Sequence, residues 1–325
     1  ANDSVTAAPA RVPATAGSGI AFDQADLAER LYNAWIFGME GDAPLDVSPA
    51  EARVLEALDA ILNSQQSGAA LVRRMPGLIP QLLQTLRSES FSGAQLSRTI
   101  SSDVVLVAAV TRLANASIKG SGKSIDSVEH AVIVIGHEGL RHLITSVAFR
   151  PIIDMNSGHY TRTLAPRVWE RSERVAEANR ALADQGQLNV DRFEAFLAGL
   201  VQNAGLIVAL RVMDQVAGND RTLGSEMFCA KLVRAARALT CSIGREWDFP
   251  EAVMQAIAEQ GQLARGGQLS PLGRLLALSD YAAKLRTLVE NTRIEDNDIL
   301  LFGGLPALAK DLYAAMPAAD SQAAA

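Results

Sequence analysis

Residues 190–213 read VDRFEAFLAGLVQNAGLIVALRVM, and this stretch decides the fold. Its length, its apolar residues and the absence of Pro predict a helix over 190–213. Inside it the uncharged run Ala195 to Leu210 holds Gln202 and Asn203 and is too short to span a bilayer. On either side the pattern predicts helices over 165–185, 223–244, 250–260 and 271–290. Pro250 and Pro271 sit at helix starts, where a missing N–H costs nothing. No alternating strand pairs appear, nor an Asn-Gly or Asp-Gly hairpin signal. The chain reads as all-α.

Further upstream, Leu27, Leu31, Ala34 and Trp35 form one apolar stripe. Ser48-Pro49-Ala50-Glu51 is a capping box with Pro at the first helical position. Behind it Val54, Leu55, Leu58, Ile61 and Leu62 recur at helical spacing, so 21–65 supply extra N-terminal helices. The valines of Asp103 to Ala116 would suit a buried strand, but the segment's length favours a helix. Asp126 to Glu129 repeats the cap pattern before Ala131 to Ile135, and Gly136 is the expected stop. Asp154 to Thr163, polar and holding Gly158, is the expected joint between two helical lobes, 70–155 and 160–312. Residues 1–20 read as a flexible leader and 313–325 as a flexible tail.

Of the 325 residues, 49% are hydrophobic and 20% charged, which excludes a disordered chain. A chain of this size is expected to divide its core between two packed units. Lys and Arg number 30 against 36 Asp and Glu, for a net charge of −6. An acidic chain without a basic run argues against nucleic acid and anionic membrane as partners. Cys229 and Cys241 lie twelve residues apart in one helical segment, roughly 18 Å at about 1.5 Å per residue, beyond disulfide reach. Two unpaired thiols, and a start (Ala-Asn-Asp-Ser) without an apolar signal run, point to the cytoplasm.

Several local motifs fail on chemistry. Gly120-Ser121-Gly122-Lys123-Ser124 lacks the earlier Gly of a phosphate loop, since position 117 is Ser. His137 and His142 are five apart, so they cannot share the helix face that a zinc-protease pair needs. His130 and His159 have no partner at ligand spacing. Glu295-Asp296-Asn297-Asp298 lacks the Gly and closing Glu of a calcium loop and reads as a solvated turn or helix cap.

The informative pattern is distributed. Met75-Pro76-Gly77-Leu78-Ile79-Pro80, Leu96 to Ile100, Asp103, Leu113-Ala114-Asn115-Ala116-Ser117, Ser124 to Ser127 and Ala131 to Gly136 follow one another in order. Val168-Trp169-Glu170-Arg171-Ser172, Gly199-Leu200-Val201-Gln202-Asn203-Ala204-Gly205, Glu246 to Pro250 with Ala256 to Gln260, and Leu278-Ser279-Asp280 come later. This succession resembles the HDOD family, the HD-related output domains of bacterial signalling proteins, over residues 70–312. Asp103, Asn115 and Gly136 fall on the family's punctuation. The resemblance implies a multi-helical HD-like fold in two packed helical lobes and a site descended from a metal-dependent phosphohydrolase.

The departures bear on function. By that resemblance Arg171 stands where a first His would be, Gln202 and Asn203 replace the His-Asp pair, and Glu259 and Gln260 replace a later His. Only Asp280 survives. Neutral amides are weak ligands, and a guanidinium repels a dication, so no metal and no other cofactor is expected. Two readings stand for Arg171, Gln202, Asn203, Glu259, Gln260 and Asp280. Either the old site is packed core with a polar plug in which Arg171 and Asp280 pair, or it lines a pocket for a small anionic ligand or nucleotide. The expected function is a noncatalytic regulatory module acting through other signalling proteins or a small ligand. The alternative is a residual phosphohydrolase acting on a nucleotide or phosphoester.

Overall fold

A computed structural model describes residues 18–39, 44–64, 100–101, 107, 110–111, 114–115, 128–149, 157–184, 189–218, 220–247, 249–261 and 267–316. Among these the regular structure is helical and no strand occurs. The helices are α1 (Phe22–Ile36), α2 (Pro49–Asn63), α3 (Val128–Phe149), α4 (His159–Asp184), α5 (Arg192–Val201), α6 (Ala204–Ala217), α7 (Glu226–Glu246), α8 (Glu251–Glu259), α9 (Pro271–Glu290), α10 (Ile299–Phe302) and α11 (Ala307–Ala315). The positions described between 100 and 115 are helical, with Ile100, Val110 and Ala114 buried. Asp103 and the run Gly120 to Ser124 lie outside the described residues.

Helix α9 is the axis. Ser270 caps it by accepting from Gly273 N at 3.0 Å, and Pro271 opens it. Apolar side chains on most of its circumference, Leu275, Leu276, Leu278 and Leu285 among them, are shut from water. It packs against α4, α1, α8, α5 and α11. Burial on all sides suits a core helix rather than an amphipathic surface one. Polar groups on such a helix need partners, which is why Asp280 and Lys284 matter below.

The N-terminal helices dock on this bundle, α1 on α9 and α2 on α6 and α7. The capping box forms as expected: Glu51 N donates to Ser48 Oγ at 3.2 Å, and Ser48 N donates to Glu51 Oε2 at 2.7 Å. The same buried carboxylate also accepts from Gly224 N and Ser225 N, each at 2.8 Å, and from Ser225 Oγ at 2.7 Å. A local cap thus becomes the anchor of α2 on the start of α7. Burial would push the Glu51 carboxyl up, but the hydrogen bonds from Gly224, Ser48 and Ser225 bring it below the usual carboxylate range.

Four expectations change. The stretch 190–213 is two helices, broken at Gln202-Asn203. The expected leader is packed at its end, where Ser18 is buried, and the expected tail stays helical to Ala315 with Met316 buried. Helix α4 starts at His159 rather than 165, because Asp214 of α6 accepts from Tyr160 N at 2.7 Å and Thr161 N at 3.0 Å. That cap comes from 53 or 54 residues downstream and leaves no local mark. Gly136 interrupts α3 with φ 74°, the stop the sequence suggested. Cys229 and Cys241 are both free. Arg192–Ala217 is long and apolar enough to cross a membrane by composition, yet most of it is buried inside the fold.

Candidate functional site: a cavity between α1 and the helical bundle

The break between α5 and α6 builds the site. Gly199 lies where an added Cβ would come within 2.6 Å of the Ala176 backbone, so α5 crosses α4 closely. Gly205 plays the same part toward α7, with the Ala236 carbonyl oxygen 2.0 Å from its missing Cβ. Gly205 N donates to Thr240 Oγ1 at 2.9 Å, and that hydroxyl reaches the Gln202 carbonyl at 3.1 Å. With both flanks pinned, Gln202 and Asn203 turn toward α4 and α9 instead of continuing a helix.

Arg171, Gln202, Asn203 and Asp280 therefore meet. Arg171 Nη2 donates to Asn203 Oδ1 at 2.8 Å, and Asn203 Nδ2 donates to Ser172 Oγ at 2.9 Å. Gln202 Nε2 donates to Asp280 Oδ1 at 3.3 Å, and Arg171 Nε lies 3.6 Å from the same oxygen. Three further residues complete the set, none singled out by the sequence. Lys284 Nζ stands 2.7 Å from Asp280 Oδ2 and also pairs with Glu29 of α1. The Arg171 guanidinium stacks 4.4 Å from the centre of the Tyr32 ring, also on α1.

The electrostatics are those of a self-compensated network. Burial would raise the Asp280 carboxyl, but Lys284 and then Arg171 hold it below the usual carboxylate range. Glu29 is lowered against burial in the same way, chiefly by Lys284. Burial pulls Lys284 down, and Asp280 and Glu29 more than reverse it. Tyr32 is raised, by burial first.

Beside this network lies a cavity of about 640 Å³ walled by α1, α4, α6, α7 and α9. Arg171, Gln202, Asn203, Gln260 and Asp280 line it, as do Glu29, Tyr32, Arg237 and Lys284. A polar cluster and an open cavity thus stand side by side. Asn203, Gln202, Asp280 and Lys284 are paired as in a plug, whereas Arg171 Nε and the Tyr32 hydroxyl lack a hydrogen-bond partner among the described residues, and the space next to them is open.

Glu259 is the correction to the expected set. Its carboxylate turns away to accept from Ser270 N, Ser270 Oγ and Gln255 Nε2, each at 2.8 Å, and it clamps the entry to α9. Gln260 borders the cavity, but its amide donates to the Ala256 and Gly273 carbonyls. Asn115 is half-buried in the helical stretch before α3, and Gly136 interrupts α3; neither lines the cavity. His142 packs on the Phe196 ring and His159 on Tyr160, both away from it. Asp298 accepts from Leu300 N and caps α10, the bland reading of the Glu295 to Asp298 run.

These residues do not fit a metal ion. Both Asp280 oxygens already face cations or an amide donor, and the other positions offer a guanidinium and two amides. Among the described residues no three His, Cys, Asp or Glu side chains gather at ligand spacing.

Comparison with known proteins agrees with the fold. Residues 72–263 match the family model of the HDOD domain. A protein named as a candidate metal-dependent phosphohydrolase from Shewanella amazonensis SB2B is 20% identical, with a TM-score of 0.52 over 82% of this chain and 98% of that one. An HDOD domain protein of unknown function from Geobacter sulfurreducens is 18% identical, with a TM-score of 0.52 over 86% and 96%. A protein named for a candidate role in signal transduction, from Marinobacter aquaeolei VT8, is 19% identical, with a TM-score of 0.53 over 86% and 62%. No curated protein sequence matches the chain.

Proposed function

This chain belongs to the HDOD domain family, and we propose that it is a noncatalytic regulatory module whose cavity senses a small molecule and reports it to a signalling partner. One observation carries this reading. Asp280, the position that the family resemblance matches to a metal-binding carboxylate, is bound by the protein's own cations, Lys284 at 2.7 Å and Arg171 at 3.6 Å. A hydrolase of this class needs that carboxylate for a dication that activates water and neutralises phosphate.

Helix α1 suits the reporting role. It supplies one wall of the cavity and is tied to the polar network by the Glu29–Lys284 ion pair and by the Tyr32 ring against Arg171, so a change inside the cavity would be felt by α1. The signal-transduction name of the Marinobacter neighbour accords with such a role. The free thiols of Cys229 and Cys241 accord with the cytoplasm.

The test is hydrolysis of bis-p-nitrophenyl phosphate and cyclic dinucleotides by the purified full chain with Mn, Fe or Ni ions supplied. The reading expects no turnover above buffer. Turnover that disappears in Asp280→Asn would establish the phosphohydrolase instead.

A further inference from the structure

Three cations, Arg171, Arg237 and Lys284, face the cavity against two carboxylates, Glu29 and Asp280. The carboxylates are taken by Lys284 and Arg171. Arg237 makes no hydrogen bond or ion pair with any described residue, although it is half-buried in the cavity wall on α7. The contrast with Lys284 is direct. Partners hold Lys284 above its usual value, whereas burial brings Arg237 below its own, with Glu29 and Asp280 only partly offsetting it. Among the described residues, one positive charge in this cavity is therefore unmatched.

Beside these charges and the amides of Asn33, Gln202, Asn203 and Gln260, much of the wall is apolar. Leu206 and Leu210 of α6, Leu232 of α7 and Ile36 of α1 line the space. A volume of about 640 Å³ falls within the range of small-molecule sites, which typically join a hydrophobic lining to a few placed polar groups. A second unmet polar group belongs to the same wall: the Tyr32 hydroxyl is buried and has no hydrogen-bond partner among the described residues. A dianionic or polyphosphate ligand would bring more charge than one cation matches, next to two resident carboxylates. A neutral lipid would leave Arg237 half-buried without a counter-ion.

We infer that the cavity binds an apolar monocarboxylate, its head on Arg237 and its body along Leu206, Leu210 and Leu232. The inference rests on the reading of this cavity as a ligand site rather than a catalytic one. Binding would match the odd charge and cover the apolar wall together, the two contributions that a plug of internal hydrogen bonds leaves unmade.

Calorimetric titration of the full chain with sodium decanoate, and with 1-decanol as its uncharged counterpart, tests this. The expected result is one decanoate per chain, bound at least about tenfold tighter than decanol. Arg237→Gln should bring decanoate down to the level of decanol and leave decanol unchanged, a loss of about 1.4 kcal/mol per tenfold. Leu206→Trp, which fills the space, should abolish both. Equal binding of the two probes by wild type, decanoate binding indifferent to either substitution, or no saturable binding would each overturn the inference. The hydrolysis assay is separate: a chain without turnover that ignores decanoate keeps its regulatory reading and loses this ligand.

Discussion

Lys284→Met removes the cation that two half-buried carboxylates share, with little change in side-chain length. Lys284 Nζ lies 2.7 Å from Asp280 Oδ2 and also pairs with Glu29, and the Lys284 and Asp280 side chains are 11% and 16% exposed. At an effective dielectric constant of about 20, each contact of this length is worth about 6 kcal/mol of direct attraction. Desolvation has already cancelled much of that in the native protein, so the net cost of breaking the cluster follows other truncated buried pairs, about 3–5 kcal/mol. At ~2 °C per kcal/mol for a large domain, the midpoint should fall roughly 6–10 °C. The loss should depend on pH with a definite sign. In wild type, Glu29 and Asp280 are lowered, so their contribution is present above the unfolded carboxylate range and fades as pH drops through the folded values. In the variant both carboxyls rise, so they protonate earlier and the deficit shrinks from pH 8 to pH 4.5. Glu29→Gln added to Lys284→Met should recover part of the stability at pH 8. Urea unfolding at the two pH values measures all of this. A deficit below about 1 kcal/mol, or one equal at both pH values, would refute the account of the cluster.

Three further outcomes follow from the packing. Gly205→Ala places a methyl 2.0 Å from the Ala236 carbonyl oxygen and 2.6 Å from Thr240 N. It should destabilise by about 2–3 kcal/mol on thermal or urea unfolding, despite alanine's better helix propensity. Glu51→Gln weakens a carboxylate that accepts four hydrogen bonds and should cost about 2–4 kcal/mol at pH 7. Because the native Glu51 carboxyl is lowered, that difference should close as pH falls below about 4. Finally, Arg171→His, Gln202→His and Asn203→Asp together should gain Mn affinity in calorimetry only when Lys284→Met is added, because Lys284 otherwise keeps Asp280.

Much of the helical frame is local and legible. Ser48 and Glu51 close their box, Pro271 opens its helix, and Gly136 takes a positive φ that few other residues adopt. The convergence of Arg171, Gln202, Asn203 and Asp280 is legible only through the resemblance to the HDOD family, whose fold implies it. What was not legible depends on distance in sequence. Glu29 and Lys284 are 255 residues apart, and each alone reads as an ordinary solvated charge on a helix. Only the i, i+4 relation of Lys284 to Asp280 offered a signal. The break at 202–203 was hidden because the apolar pattern runs straight through it. It is imposed by tertiary crossings at Gly199 and Gly205 rather than by any stop residue. Glu259 misled for the opposite reason, since its neighbour Ser270 claims the carboxylate.

The central claim is that the ancestral metal position is held by the protein's own ion pairs. Titration of the purified wild-type chain with Mn ions at pH 7, followed by calorimetry, tests it most directly. The account predicts no saturable site at metal concentrations up to the millimolar range. A stoichiometric site of micromolar affinity that Asp280→Asn abolishes would contradict it.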